Sequence, residues 1–163
     1  MGSAKKIVLV GHFGVGKSSL IKRFVENSFS DNYIVTIGVH ISKKSVNWDD
    51  EELTLVIWDI EGKDDLTKIR PAYLIGTSGF IFVIDPTRPQ TYQNFNDSFN
   101  FIQASFPDAK IVSVANKMDV IDVDEFQKEL NIYEISIDFF TSAKTGNKVE
   151  EVFVELAKRI HND

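Results

Sequence analysis

An α/β domain built on a doubly wound, six-stranded mixed sheet is the architecture this sequence predicts, and three observations lead there. Apolar runs alternate with helix-patterned segments from one end of the chain to the other, which implies mostly parallel strands with helices on both faces. One pair of neighbouring runs breaks that alternation and reads as an antiparallel edge hairpin. At 163 residues, 43% apolar and 12% aromatic, the chain buries one substantial core and is too short for two ordinary domains, so residues 1–163 are read as one domain.

Taken in order, KKIVLVG is the first strand and ends at Gly11. Leu20, Ile21, Phe24 and Val25 then fall at helical spacing. VHISKKSVNW, from Val39 to Trp48, meets LTLVIWD across the polar turn DDEE, which is the hairpin. GFIFVID, KIVSVAN and SIDFFTS supply the remaining strands. Tyr92, Phe95, Phe99, Ile102 and Phe106 form one apolar stripe, and Val149, Val152, Phe153, Leu156 and Ile160 form another. Stripes of this kind are core. Asn147, with Glu150 three residues on, is expected to cap the last helix.

The formal net charge of −6 provides no positive field for nucleic acid or an anionic membrane surface, so any polyanion must be bound locally. With no cysteine, disulfides, thiol catalysis, thiolate metal sites and cysteine-linked lipid anchors are excluded, and a reducing, cytoplasmic setting is expected. No apolar run has the length of a membrane span, Lys6 stands where a myristoylation motif wants Ser or Thr, and LAKRIHND offers no anchor. The expectation is a soluble monomer with no intrinsic membrane anchor.

Gly11, Gly16, Lys17 and Ser18 satisfy G-x-x-x-x-G-K-[ST] between a buried strand and a helix. Glycines let backbone N–H groups approach phosphates, and the helix N-terminus adds a favourable dipole. Lys17 reaches the β and γ phosphates and Ser18 offers its hydroxyl to Mg²⁺. The plain alternative is a Gly-rich turn with a solvated lysine. NKMD, Asn116 to Asp119, ends a strand where an open α/β sheet places its ligand. Asp119 can accept from N1–H and the exocyclic amino group of guanine, a donor pair that adenine lacks. The alternative there is a loop whose asparagine and aspartate make their own turn.

GHFGVGKSS, YIVTIGVHI, WDIEGKDD, NKMD and TSAKTG occur in the order and spacing of the Ras superfamily of small GTPases, which the whole chain resembles. TIGV around Thr36 and Trp58 before Asp59 look most like the Rab branch, and the wording WDIEGK resembles Ras-like GTPases of prokaryotes. This resemblance implies a P-loop NTPase fold of the Ras type that binds GTP and GDP with Mg²⁺. It makes Thr36 a ligand of Mg²⁺ that also contacts the γ-phosphate, lets Asp59 hold Mg²⁺ through water, and has the Gly62 amide sense the γ-phosphate. Phe13, Gly14, Val15, Ser19 and Tyr33 line the nucleotide, Phe29 packs against the guanine, Lys117 lines base and phosphate loop, and Ser142, Ala143 and Lys144 support the base. Effector, exchange and activating proteins are expected to read Ile41, Trp58 and Tyr73, with Ile41 replacing a usual phenylalanine.

Three further positions depart from the family pattern. Lys63 stands where a glutamine usually orients the attacking water, and lysine has no acceptor atom with which to do so. It either stabilises γ-phosphate charge or is a solvated loop lysine. Glu61 replaces a small residue beside the γ-phosphate and must turn away, pair with Lys63 or Lys17, or position water itself. Phe13 occupies a wall position where bulk hinders an incoming arginine finger, or else it packs on Ile60 or Tyr33. A molecular switch that hydrolyses GTP slowly is therefore expected. The rivals are a GTP-binding scaffold with negligible hydrolysis and, less favoured because of Asp119, a P-loop ATPase or kinase.

Overall fold

The computed structural model describes residues 3–27, 38–60 and 66–162. Six strands form one sheet in the order β2-β3-β1-β4-β5-β6. They are β1 (Ser3–Val10), β2 (Val39–Trp48), β3 (Glu51–Ile60), β4 (Thr77–Ile84), β5 (Lys110–Ala115) and β6 (Phe139–Phe140). Only β2 runs antiparallel, paired with β3 in a register that sets Ile41 opposite Trp58 and Trp48 opposite Glu51. The hairpin turn is therefore Asp49 and Asp50 alone, tighter than DDEE suggested, with Asp49 in the left-handed region at φ 49°. Aspartate tolerates that conformation better than most residues.

Among the described residues five α-helices cover the sheet: α1 (Lys17–Glu26), α2 (Pro71–Leu74), α3 (Phe95–Ser105), α4 (Val123–Ile132) and α5 (Val149–His161). Alternation along the strands divides them between two cores. Ile7, Leu9, Ile81 and Val83 face α1 and α5, whose Leu20, Phe24, Phe153 and Leu156 complete one cluster. Val8, Val10, Phe80, Phe82 and Ile84 face the other way, onto Leu74 of α2, Phe95 and Ile102 of α3, and Phe126 and Leu130 of α4. A period of two thus produces a doubly wound, three-layer domain. Phe24 and Phe153 stack with ring centroids 3.9 Å apart and lock α1 to α5.

Both apolar stripes lie in the core, though the first spans two elements. Tyr92 is buried just after a 3₁₀ turn over Pro89–Thr91, and the α-helix begins only at Phe95. The expected cap of the last helix is corrected: Lys148, at φ 64°, precedes Val149, and no side chain caps this end. Asn147 is held elsewhere, its carbonyl accepting from Ser142 N at 3.1 Å and its own N–H donating to Thr145 Oγ1 at 3.2 Å. Among the described residues no helix is long and apolar enough to cross a membrane.

Candidate functional site

The loops at the carboxyl ends of β1, β4, β5 and β6 converge beside the end of β3, which is where an open α/β sheet forms its ligand crevice. The first of them runs from Gly11 to Gly16. Gly16, at φ 105°, has no room for a Cβ because the side-chain amide of Asn116 lies against it. Gly11, at φ 145°, is likewise pressed onto the Val83 carbonyl. The glycines are thus demanded by the loop's own packing as well as by its backbone angles.

Lys17 opens α1 and is buried, 7% exposed, with Nζ donating to Gly11 O at 2.7 Å and His12 O at 3.5 Å. Its ammonium therefore lies folded across the loop. Ser18 follows it, and its hydroxyl donates to Asp59 Oδ2. Asp59 is buried near the end of β3, beside Leu9 of β1 and opposite His40 of β2. A hydroxyl and a carboxylate side by side are hard oxygen donors of the type Mg²⁺ takes, with other positions left to water and phosphate. The residues present fit that ion.

Asn116 is the joint of the second half of the site. It is 2% exposed, donates Nδ2 to Val15 O at 3.1 Å, and accepts at Oδ1 from Thr141 Oγ1 at 3.1 Å and Ala143 N at 3.2 Å. One side chain therefore binds three loops together. Lys117, left-handed at φ 64°, turns the chain out of β5 and sends Nζ to Gly14 O at 3.1 Å and Asp85 Oδ2 at 2.7 Å. Asp119 follows on an exposed turn, where its Oδ1 accepts from Ser142 Oγ at 2.8 Å. A carboxylate has roughly four lone-pair sites, so this bond leaves capacity for a ligand's donors. Arg23 of α1 ties down the backbone of the last loop, donating to Ala143 O at 2.8 Å and Lys144 O at 2.6 Å.

The structure thus brings together the loop residues Phe13 to Ser19 with Asp59, Asn116, Lys117, Asp119, Ser142, Ala143 and Lys144. Phe13 itself is 41% exposed. Phe29, Tyr33, Thr36, Glu61, Gly62 and Lys63 lie outside the described residues. On the flank, Ile41 is 54% exposed beside Trp58, over whose ring Lys6 Nζ sits 3.8 Å from the centroid. The same ammonium donates to Tyr73 O at 2.7 Å and Ile75 O at 2.9 Å, joining Trp58 to the end of α2. Burial lowers the Lys6 pKa from its ordinary value.

Sequence reasoning missed Asp85, Arg88, Thr141 and Arg23. Asp85 had a usable signal, a carboxylate at the carboxyl end of β4 in the same crevice. Arg88 and Arg23 act through side-chain bonds to the backbone of distant loops, which no local pattern marks, and Thr141 stands inside TSAKTG without a role assigned to it.

The sequence model of the Ras family matches residues 6–162. Ras-related protein Rab-22A of Homo sapiens is 35% identical over 160 residues, covering 95% of this chain and 82% of that protein. Ras-related protein SEC4 of Saccharomyces cerevisiae is 37% identical over 164 residues, 97% of this chain and 75% of its own length. Ras-related protein Rab-1D of Dictyostelium discoideum is 35% identical over 162 residues, covering 96% and 79%.

Proposed function

The chain belongs to the Ras family of small GTPases and is Rab-like, and from that premise we propose that residues 1–163 act as one guanine-nucleotide-dependent switch that hydrolyses GTP slowly. The observation that carries this reading is the Asn116 side chain, which ties the phosphate loop at Val15 to the NKMD and SAK loops within one site. A phosphate cradle and a guanine reader are thereby held at a set separation. Asp119 reads the base. Loop amides at the start of α1, with Lys17 beside them, hold the phosphates.

Ser18 and Asp59, joined by Thr36, would hold Mg²⁺, which when bound neutralises phosphate charge. Gly62 and Thr36 sense the γ-phosphate, so the segments that carry them order when it is present. Effector, exchange and activating proteins read those segments together with Ile41, Trp58 and Tyr73. Lys6 supports that surface, because its ammonium ties the Trp58 ring to the backbone of Tyr73.

Slow hydrolysis is supported by Lys63, which has no acceptor for the attacking water, and by the half-exposed Phe13 at the loop wall. The same two residues favour a second reading, a GTP-binding scaffold with negligible turnover. Single-turnover hydrolysis with protein in excess over GTP separates them. A slow but complete conversion to GDP supports the switch, and no conversion supports the scaffold. Stronger competition by ATP than by GTP for the bound nucleotide would instead favour an ATPase or kinase.

A further inference from the structure

Between β4 and α3 the chain runs Asp85-Pro86-Thr87-Arg88-Pro89, a loop that none of the motifs above includes. Its base is the fully buried Asp85 carboxylate. Oδ1 accepts from Thr87 N at 2.9 Å and Thr87 Oγ1 at 2.6 Å, while Oδ2 accepts from Lys117 Nζ at 2.7 Å. Arg88 N donates to Asp85 O at 3.0 Å and Thr91 Oγ1 donates to Arg88 O at 2.8 Å, so Arg88 is fixed on both sides. From this footing its side chain reaches back 75 residues in sequence, and Nη1 donates to Phe13 O at 2.6 Å. The same nitrogen lies 3.0 Å from where a Cβ on Gly14 would stand.

That contact completes a row. Lys17 takes the carbonyls of Gly11 and His12, Arg88 that of Phe13, Lys117 that of Gly14, and Asn116 that of Val15. In a planar trans peptide the carbonyl and the next N–H point in opposite directions. A cation holding Phe13 O on one side therefore turns the Gly14 amide to the other. Arginine suits this duty because it is always charged and its planar fork loses little freedom per bond formed.

We propose that Arg88 is a positioning residue of the phosphate loop, fixing the Phe13–Gly14 peptide plane and so the amide that it turns toward the bound phosphates. Its effect falls on nucleotide retention and not on choice of base, which lies with Asp119. The inference rests on the guanine-nucleotide reading above.

The test is release of N-methylanthraniloyl-GDP from the full chain, chased with excess GDP at saturating Mg²⁺, for wild type, Arg88→Ala and Arg88→Lys. A charge-assisted hydrogen bond of this kind predicts release about tenfold faster in Arg88→Ala, with Arg88→Lys recovering most of the loss. The ratio of GDP to xanthosine diphosphate affinity should stay at the wild-type value. Release less than about threefold faster in Arg88→Ala, or no recovery by lysine, overturns the proposal. A changed base ratio also overturns it, since a general loosening of the site moves both readouts. If Arg88→Ala does not fold, Arg88→Gln decides by the same threshold. A wild-type protein that retains neither GDP nor GTP fails the nucleotide reading itself, whereas retention by wild type and variant alike fails only the role of Arg88.

Discussion

Asn116 and Val15, 101 residues apart in the chain, are joined by a 3.1 Å hydrogen bond from the asparagine amide to the loop carbonyl. The opposite end of that amide accepts from Thr141 and Ala143, so no other residue type offers donor and acceptor at these two places. Asn116→Ala strands a buried carbonyl, a hydroxyl and an amide. Leaving such groups unpaired costs about 1–3 kcal/mol in stability. Nucleotide release should accelerate by at least about tenfold, since the two halves of the site lose their joint. Thermal melting and stopped-flow release of GDP check the two effects separately.

Ser18 donates to Asp59 across 41 residues, which places the two described candidate metal donors together before any ion is considered. Ser18→Asn should shift preference from GTP toward GDP, because metal ligation matters most when a γ-phosphate is present. Titration of both nucleotides with Mg²⁺ and with EDTA measures this. An unchanged GTP to GDP ratio under both conditions contradicts the assignment.

Asp119→Asn should weaken GTP binding and improve that of xanthosine triphosphate, whose base presents a carbonyl where guanine has its amino group. Sites that read polar groups in this way discriminate by about 10⁴-fold or more, since the wrong base leaves groups unpaired. The bond from Ser142 to Asp119 Oδ1 should survive the substitution if the amide oxygen takes that place, so the variant should fold. Equal affinities of wild type and variant for GTP would remove the base from this loop.

Hydrolysis by the isolated protein should proceed at about 10⁻⁴ s⁻¹ or below, lacking the roughly 10⁵-fold help that a water-orienting glutamine and a trans arginine supply together. Lys63→Gln alone should gain little while Phe13 remains. The Phe13→Gly, Lys63→Gln double variant should gain more than the two singles combined, because both act on one water. Single-turnover rates of the four proteins decide. A sharp loss in Glu61→Ala, with no gain in the double variant, assigns the water to Glu61 instead.

The sheet was legible because its strands carry unbroken apolar runs and its one hairpin alternates, as the pairing of Ile41 with Trp58 bears out. Strand SIDFFTS is shorter than its apolar run suggests: only Phe139 and Phe140 pair with β5, since the Asp138 carboxylate takes the Ser113 N–H that a strand carbonyl would otherwise accept. The cap at Asn147 failed for a related reason, its backbone being drawn into the turn after Ser142. Glycines and lysine of the phosphate loop could be read because backbone geometry restricts those positions to few residue types. Arg88 could not, because a guanidinium that meets its partner 75 residues away in sequence leaves no periodic trace.

The most direct test of the guanine-nucleotide claim is to denature the purified protein and identify the released nucleotide by chromatography. The account predicts guanine nucleotide, GDP or GTP, at close to one per chain, with GTP retained longer than rapid hydrolysis would allow. Adenine nucleotide at that stoichiometry, or protein that emerges empty and takes up no GTP with Mg²⁺ present, would contradict it.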